Sequence, residues 1–229
     1  MPLLPSRRKP APAASRTTPV AGPAALAPEV YRQAYVGLTL PPGARTAVIG
    51  VTSAIRGEGR TTVALGLART LATDLETAVT LVEADFERPA LAVHFELAPA
   101  PGLCEVLRGE CLLGETVLPV ADRLSVVTAG AVGPDAARLL RRLADGDPFH
   151  ADAGLPGIVV LDLPPLLDQG YGSLAAGVAD ALVLVVRAGV TPDYVAREAI
   201  ARLEGRPPQG VILNGFRTAL PRWWPGSRV

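Results

Sequence analysis

A glycine-rich turn at residues 54–62 separates a β-branched apolar run from a segment with helical periodicity. The run before the turn, residues 45–53, favours a buried strand, and residues 61–72 after it favour a helix. Glycines at positions 57 and 59 let the backbone curl so that successive N–H groups point inward, beside the positive end of the helix. This order of elements predicts an α/β fold with a site for phosphate groups at the turn.

The turn nearly matches the phosphate-binding P-loop, whose pattern is Gly or Ala, four residues, Gly, Lys, and Ser or Thr. Ala54, Gly59 and Thr61 fit this pattern, and Arg60 stands at the lysine position. Thr61 would then be a ligand of Mg²⁺. Because Lys9 is the only lysine among the 22 basic residues, Arg60 could reflect a general drift to arginine as well as local selection.

Strand-like and helix-like segments alternate along the chain after the turn. Helical periodicity is found at residues 134–144 and 192–203. The strand candidates are residues 45–52, 78–83, 124–129, 157–162, 181–187 and 210–214. Alternation of this kind predicts a doubly wound α/β fold, with a mostly parallel sheet of about six or more strands and helices on both faces.

Three carboxylates stand where predicted strands end. Asp162 follows a run of four apolar residues and resembles a Walker B aspartate, which holds Mg²⁺ directly or through water. Glu83 and Asp85 lie two residues apart at the end of another strand, where one could deprotonate a hydroxyl and the other hold a metal-bound water. Ligands of open α/β sheets bind at the carboxyl ends of strands, so these groups should share a rim with the turn.

Composition divides the chain into three parts. Residues 1–28, which carry seven prolines, four basic residues and no acid, are expected to be a disordered arm. Residues 29–217 are expected to form the phosphate-binding domain, and residues 218–229 a tail with Trp223 and Trp224. The formal net charge of zero predicts no nucleic-acid partner. No apolar run reaches the ~18 residues that a membrane span needs.

Several motifs in a fixed order resemble the cytoplasmic kinase domain of bacterial tyrosine kinases of capsule and exopolysaccharide assembly, a branch of the MinD/ParA-like P-loop ATPases. The likeness covers about residues 28–217. The matching segments are Glu29-Val-Tyr-Arg32, the turn from Thr52 to Thr62, Leu81-Val-Glu83-Ala-Asp85-Phe-Glu-Arg88-Pro89, Pro101-Gly-Leu-Cys-Glu-Val-Leu-Arg-Gly-Glu110, Leu161-Asp-Leu-Pro-Pro165, Val186-Arg-Ala-Gly-Val-Thr191 and Gly210-Val-Ile-Leu-Asn214.

The resemblance implies binding of ATP with Mg²⁺, autophosphorylation on C-terminal tyrosines, and work with a membrane-embedded chain-length regulator or export protein of polysaccharide assembly. The protein would then be cytoplasmic and peripheral at the inner face of the membrane. The implied phosphate contacts are Gly57, Glu58, Gly59, Arg60, Thr61 and Thr62, with Asn214 at the adenine. Thr61, Asp85 and Asp162 would surround the metal, and Arg60, Glu83 and Asp85 would carry the catalysis.

Departures from the family pattern bear on this chemistry. The guanidinium of Arg60 is planar and bulkier than the ammonium of lysine, so it cannot act as a compact point charge between phosphates. Glu83 is one methylene longer than the family's aspartate. Tyr35 replaces the second arginine of the family's oligomer helix, so a homo-oligomer would rest on Glu29 and Arg32. The tyrosines, which are Tyr31, Tyr35, Tyr171 and Tyr194, all precede the last predicted strand.

Three functions remain open at this stage. The first is a regulator of polysaccharide assembly that has kept the scaffold but has little kinase activity. The second is an active ATPase or protein kinase of the same fold, in which Arg60 substitutes for lysine. The third is a positioning or partition ATPase of the MinD/ParA type. Ile55 argues against the third, because those proteins carry an additional lysine at this position.

Overall fold

One sheet of seven strands organises the chain. The computed structural model describes residues 28–146, 148–150, 155–168 and 171–216. The strands are β1 Thr46–Ser53, β2 Val79–Glu83, β3 Leu118–Ala121, β4 Leu124–Val127, β5 Gly157–Asp162, β6 Ala181–Arg187 and β7 Gly210–Asn214. The helices are α1 Pro28–Val36, α2 Arg60–Asp74, α3 Leu91–His94, α4 Leu103–Arg108, α5 Ala136–Gly146, α6 Gly172–Ala176 and α7 Asp193–Ala201, with a 3₁₀ helix at Leu113–Thr116.

The strands lie in the order β3-β4-β2-β5-β1-β6-β7. Every neighbouring pair is parallel except β3 with β4. The expected doubly wound, mostly parallel sheet is thereby confirmed, and all six strand candidates correspond to strands. The three candidates at residues 157–162, 181–187 and 210–214 have the same bounds as β5, β6 and β7.

The strand β3 was absent from the sequence-based prediction. It has four residues, one of which is Pro119, and it pairs with β4 in antiparallel orientation at the edge of the sheet. Proline cannot donate a hydrogen bond to a neighbouring strand, so it is tolerated at an edge and hides the strand from pattern recognition. The apolar candidate at residues 124–129 ends earlier, at Val127, as β4.

Two hydrophobic cores lie on opposite faces of the sheet. One contains Tyr31 of α1 and the buried side of α2, and the other contains the buried residues of α4, α5, α6 and α7. In the first core the ring of Tyr31 packs onto Gly66 in the middle of α2. A Cβ atom at position 66 would lie 2.1 Å from the Cζ of Tyr31, so the two helices approach closely because residue 66 is glycine.

The carboxyl ends of β1, β2, β5, β6 and β7 meet at one edge of the sheet. Register places Asp162 of β5 beside Val51 of β1 on one side and beside Glu83 of β2 on the other. The end of β5 therefore lies between the turn that follows β1 and the segment that follows β2. This edge is the rim that the sequence predicted.

Some predictions fall on parts of the chain outside the described residues. These are the arm at residues 1–27 and the tail with Trp223 and Trp224. Pro28, which the sequence assigns to the arm, begins α1 instead. The boundary at residue 217 stays a prediction. In the part of the chain that the structure describes, no helix has both the length and the apolar character needed to cross a bilayer.

Candidate functional site

The glycine-rich turn joins β1 directly to the start of α2. Gly57 and Gly59 have φ angles of 81° and 90°, in the left-handed region that glycine adopts without strain. A Cβ atom at Gly59 would also lie 2.1 Å from the amide nitrogen of Asn214. Both the backbone conformation and this close approach require glycine at position 59, where the turn enters the helix.

Glu58 holds the turn to the end of β6 through its buried side chain, which is 1% exposed. One carboxylate oxygen accepts a hydrogen bond from the backbone N–H of Ile55 at 2.7 Å. The other accepts bonds from the backbone N–H of Arg187 at 3.1 Å and from the hydroxyl of Thr191. We call this set of contacts the glutamate brace. The sequence placed Glu58 among the phosphate contacts, but its carboxylate is directed to the protein's own donors and shapes the turn.

Asn214 contacts the turn from the end of β7. Its side-chain nitrogen donates a hydrogen bond to the backbone carbonyl of Glu58 at 2.8 Å. Its side-chain oxygen accepts a bond from the backbone N–H of Gly215 at 2.9 Å. The structure thus brings Asn214 to the turn, as the sequence predicted for the site as a whole. Its contact with adenine stays a prediction.

Arg60 is the first residue of α2, and only 8% of it is exposed. One terminal nitrogen donates to the carboxylate of Asp85 at 2.7 Å, and the other donates to the backbone carbonyl of Leu163. Asp85 follows β2 and Leu163 follows β5. Arg60 therefore joins the turn to the segments that follow β2 and β5, and its two terminal nitrogens donate to acceptors of the protein itself.

Thr61 and Asp162 lie together, as expected of a metal site. The hydroxyl of Thr61 donates a hydrogen bond to one carboxylate oxygen of Asp162 at 2.7 Å. The other carboxylate oxygen is buried and has no hydrogen-bond partner within the described residues. Burial raises the pKa of Asp162 to about 7, against the lowering effects of the Arg60 charge and the Thr61 hydrogen bond.

These two residues fit a Mg²⁺ ion. Mg²⁺ prefers oxygen ligands and usually combines one or two carboxylates with water and substrate phosphates. The unpartnered Asp162 oxygen and the Thr61 hydroxyl are ligands of that kind. Among the described residues no cluster of three or more His, Cys, Asp or Glu side chains could hold a metal alone. The remaining ligands would have to come from phosphate and water.

Asp85 lies beside the turn but is bound to Arg60 rather than directed to the Thr61–Asp162 pair. Its other carboxylate oxygen accepts hydrogen bonds from the backbone N–H groups of Glu87 and Arg88 at 3.2 and 3.4 Å. Asp85 therefore orders the segment after β2 and neutralises Arg60.

Glu83 is placed differently from the sequence expectation. Its side chain, only 1% exposed, accepts hydrogen bonds from the backbone N–H groups of Ala90, Leu91 and Ala129. Burial raises the pKa of Glu83, and these donors partly offset that effect. The sequence put Glu83 and Asp85 at one rim, but only Asp85 contacts the turn. Glu83 is occupied in fixing the start of α3.

Arg56 is a residue of the site that the sequence reasoning missed. It lies in the turn, and its guanidinium donates hydrogen bonds to the carboxylates of Asp168 and Glu87. Asp168 follows β5 and Glu87 follows β2, so Arg56 contacts the same two segments as Arg60. The available signal was a second arginine in the turn together with additional acids after two of the rim strands.

Curated proteins with related sequences are bacterial. No protein-family model matches the chain. Tyrosine-protein kinase CpsD of Streptococcus agalactiae is 27% identical over 176 residues, which cover 75% of this chain and 76% of CpsD. The succinoglycan biosynthesis transport protein ExoP of Rhizobium meliloti is 28% identical over 178 residues, but the match covers only 22% of ExoP.

Solved structures with the same fold include a kinase domain and a cell-division ATPase. The kinase domain of Escherichia coli tyrosine kinase ETK has a TM-score of 0.70 at 25% identity, covering 79% of this chain and 72% of the solved domain. The Pyrococcus furiosus cell division ATPase MinD has a TM-score of 0.60 at 21% identity over 72% of this chain and 69% of MinD, which is a likeness of fold. With the turn, the rim and these relatives in agreement, the chain is related to bacterial tyrosine kinases such as CpsD and shares the P-loop ATPase fold of ETK and MinD.

Proposed function

We propose that the protein is a nucleotide-binding regulator of capsule or exopolysaccharide assembly whose own kinase activity is weak or lost. The relatives named for a tyrosine kinase and for succinoglycan biosynthesis support the process. The observation that carries nucleotide binding is the Thr61–Asp162 hydrogen bond, which leaves a buried carboxylate oxygen unpartnered, among the described residues, beside the glycine-rich turn.

The chain's own groups divide the binding task. Backbone N–H groups from Gly57 to Thr62, together with the positive end of α2, favour phosphate oxygens. Thr61 and Asp162 would hold Mg²⁺, which, when bound, would neutralise charge on those oxygens. Asn214 holds the turn in shape by its hydrogen bond to Glu58. None of these roles depends on the residue at position 60.

Weak turnover follows from the positions of Arg60 and Glu83. Arg60 is bound to Asp85 and the Leu163 carbonyl, so contact with a phosphate has to replace those bonds. A charge-assisted hydrogen bond contributes ~1.5–3 kcal/mol. Its absence therefore lowers the affinity for MgATP by a factor of about 10 to 100. Glu83 is bound to three backbone donors and is withdrawn from any general-base role.

A titration with a fluorescent ATP analogue and Mg²⁺ tests the proposal. We expect saturable binding that weakens by about tenfold when Asp162→Asn removes the metal-binding charge. Asp145→Asn is the matched control, since Asp145 lies on the exposed side of α5 in a 3.8 Å pair with Arg141. If millimolar nucleotide does not bind to the wild type, the proposal is wrong.

An active ATPase or protein kinase is the second candidate. It is favoured because Thr61 and Asp162 are together and Arg60 keeps a positive charge in the site. Steady-state ATP hydrolysis and phosphotransfer by wild type and Arg60→Lys distinguish the two. We expect the lysine variant to gain at least tenfold in turnover if Arg60 has weakened the enzyme. Unchanged affinity and turnover would favour the active enzyme.

We further propose that the protein acts at the inner face of the membrane through a membrane-embedded chain-length regulator or export protein. The relative named as a transport protein, ExoP, supports this partner class. Co-expression with a chain-length regulator from the same genome, followed by membrane fractionation, tests the idea. Recovery in the soluble fraction with and without the regulator would overturn it.

A homo-oligomer through α1 also stays a proposal. In the structure Arg32 binds Asp74 of α2 at 2.6 and 2.9 Å as well as Glu29 at 3.2 Å, and the hydroxyl of Tyr35 donates to Asp74 at 3.1 Å. A subunit contact would have to share Arg32 with α2. Sedimentation velocity with and without nucleotide measures the oligomeric state.

A further inference from the structure

Two arginines of one turn contact the same pair of neighbouring segments. Arg60 donates to Asp85 and to the Leu163 carbonyl, and Arg56 donates to Glu87 and Asp168. The first segment, residues 85–88, follows β2, and the second, residues 163–168, follows β5. We call these four contacts the arginine clamp.

The clamp has a buried half and a half that water reaches. The Arg60 and Asp85 side chains are 9% and 4% exposed, whereas Arg56, Glu87 and Asp168 are 23%, 31% and 34% exposed. One terminal nitrogen of Arg56 is nevertheless buried without a hydrogen-bond partner in the described part of the chain. A guanidinium donor is thus left over on the same side chain that holds the exposed half together.

Carboxylate and phosphate use the same donors. The planar fork of a guanidinium matches either group, and its hydrogen bonds to both are charge-assisted. Arg56 and Arg60 lie within the phosphate-binding turn, so a bound phosphate and the three carboxylates would draw on one set of N–H groups. The two modes of bonding are therefore mutually exclusive at each shared donor.

We propose that nucleotide phosphate displaces Asp85, Glu87 and Asp168 from the arginine clamp, and that this exchange releases residues 85–88 and 163–168. This inference rests on nucleotide binding at the same site. Arg56 is on this view a second phosphate-binding cation, and the clamp couples phosphate occupancy to the two segments, whose outer residues Glu87, Arg88 and Asp168 are exposed or partly exposed.

The clamp also sets the affinity of the site. A phosphate that takes the Arg60 donors must first break the buried ion pair with Asp85, so the carboxylates act as competing intramolecular ligands. Removing a carboxylate charge should therefore tighten nucleotide binding, whereas removing a metal ligand would weaken it. Whether the affinity for nucleotide rises or falls in such a variant therefore shows whether the carboxylate belongs to the clamp or is a metal ligand.

Affinity for a fluorescent ADP analogue in EDTA is the decisive measurement. In Asp85→Asn we expect binding about tenfold tighter than in the wild type, because a buried charged partner is removed. In the double variant Glu87→Gln/Asp168→Asn we expect about threefold tighter binding, since those pairs are partly exposed. Asp145→Asn, which alters an exposed pair on α5, should leave the affinity unchanged.

Folding of the variants is checked by thermal unfolding. In Asp85→Asn the side-chain amide oxygen can still accept from the backbone N–H groups of residues 87 and 88, as the carboxylate of Asp85 does at 3.2 and 3.4 Å. If Asp85→Asn does not fold, the double variant decides the question, because its pairs lie nearer the surface.

Hydrogen exchange of the wild-type protein provides an independent measurement. Added ADP should speed amide exchange at residues 85–88 and 163–168 while it slows exchange in the turn. Unchanged or weaker ADP binding in both carboxylate variants, with intact wild-type binding, would overturn the clamp and leave the proposed function in place. Absence of wild-type binding would overturn both.

Discussion

The two sides of the glycine-rich turn are held by different chemistry. Toward β6 and β7 the turn is fixed by the glutamate brace and by Asn214. The acceptors in these bonds are the carboxylate and the backbone carbonyl of Glu58, and a phosphate does not compete for them. Toward β2 and β5 it is fixed by the arginine clamp, whose donors phosphate can also use. The comparison separates a side that we call permanent from a side that we call exchangeable, because the proposed binding of phosphate would replace the bonds of the clamp alone.

The largest effect is expected from breaking the permanent side. Glu58→Ala leaves the backbone N–H groups of Ile55 and Arg187 without their acceptor, and each unmet buried donor is costly. We expect the free energy of unfolding to fall by about 3 kcal/mol, measured by urea denaturation. Glu58→Gln, which keeps a side-chain oxygen, is the control and should lose about half as much. A loss below ~1 kcal/mol in the alanine variant would show that the brace is not structural.

Asp162 at the end of β5 makes the free energy of unfolding depend on pH. Its pKa of about 7 in the folded protein exceeds the ordinary value of an unfolded aspartate. At pH values between the two pKa values, the folded state therefore binds one proton that the unfolded state does not. The contribution of Asp162 to stability is therefore full at low pH and is lost as pH rises toward 7.

We expect Asp162→Asn, which carries no such proton, to gain stability relative to wild type by up to about 1.4 kcal/mol per pH unit between pH 5 and 7. Urea denaturation in EDTA across that range measures the difference. A difference that does not change with pH would contradict the raised pKa.

A smaller effect is expected at Asn214. Asn214→Ala removes the hydrogen bond to the Glu58 carbonyl and the packing against Gly59. We expect a loss of about 1 kcal/mol in unfolding free energy and a matching decrease in nucleotide affinity. Val211→Ala on the same strand, where the side chain is 60% exposed, is the matched control. Equal losses in the two variants would indicate a general weakening of β7.

The smallest effect on stability is expected on the exchangeable side. Arg56→Ala breaks two partly exposed ion pairs, which contribute less than about 1 kcal/mol each. Differential scanning calorimetry in low and high salt measures this, and we expect the difference from wild type to shrink as salt screens the pairs. A loss as large as that of Glu58→Ala would remove the distinction between the two sides.

The sequence predicted the fold because local patterns determine it. Apolar runs such as residues 181–187 are bounded by turns, and a buried parallel strand needs little else to be recognised. Prediction failed at β3, a short apolar segment in which Pro119 argues against a strand and which pairs only at the antiparallel edge of the sheet.

Side-chain partners were less accessible to sequence reasoning. The rim was predicted correctly from where strands end, and Thr61 and Asp162 meet there. The directions of Glu58, Arg60 and Glu83 were not predicted, because their partners Arg187, Leu163 and Ala129 are distant in the sequence. A strand end fixes where a residue stands, whereas its hydrogen bonds depend on segments that only the folded chain brings near.

At Gly66, a residue with a higher helix propensity would disrupt the packing of α2 against α1. Alanine is the better helix former by about 1 kcal/mol, yet its methyl group would occupy the place of the Tyr31 ring. The same helix α2 begins at Arg60 in the glycine-rich turn, so its first residue is held by the contacts of the turn and its middle packs against α1. A tilt of α2 at the turn would therefore be transmitted through Tyr31 to α1, without any bond between α1 and the turn.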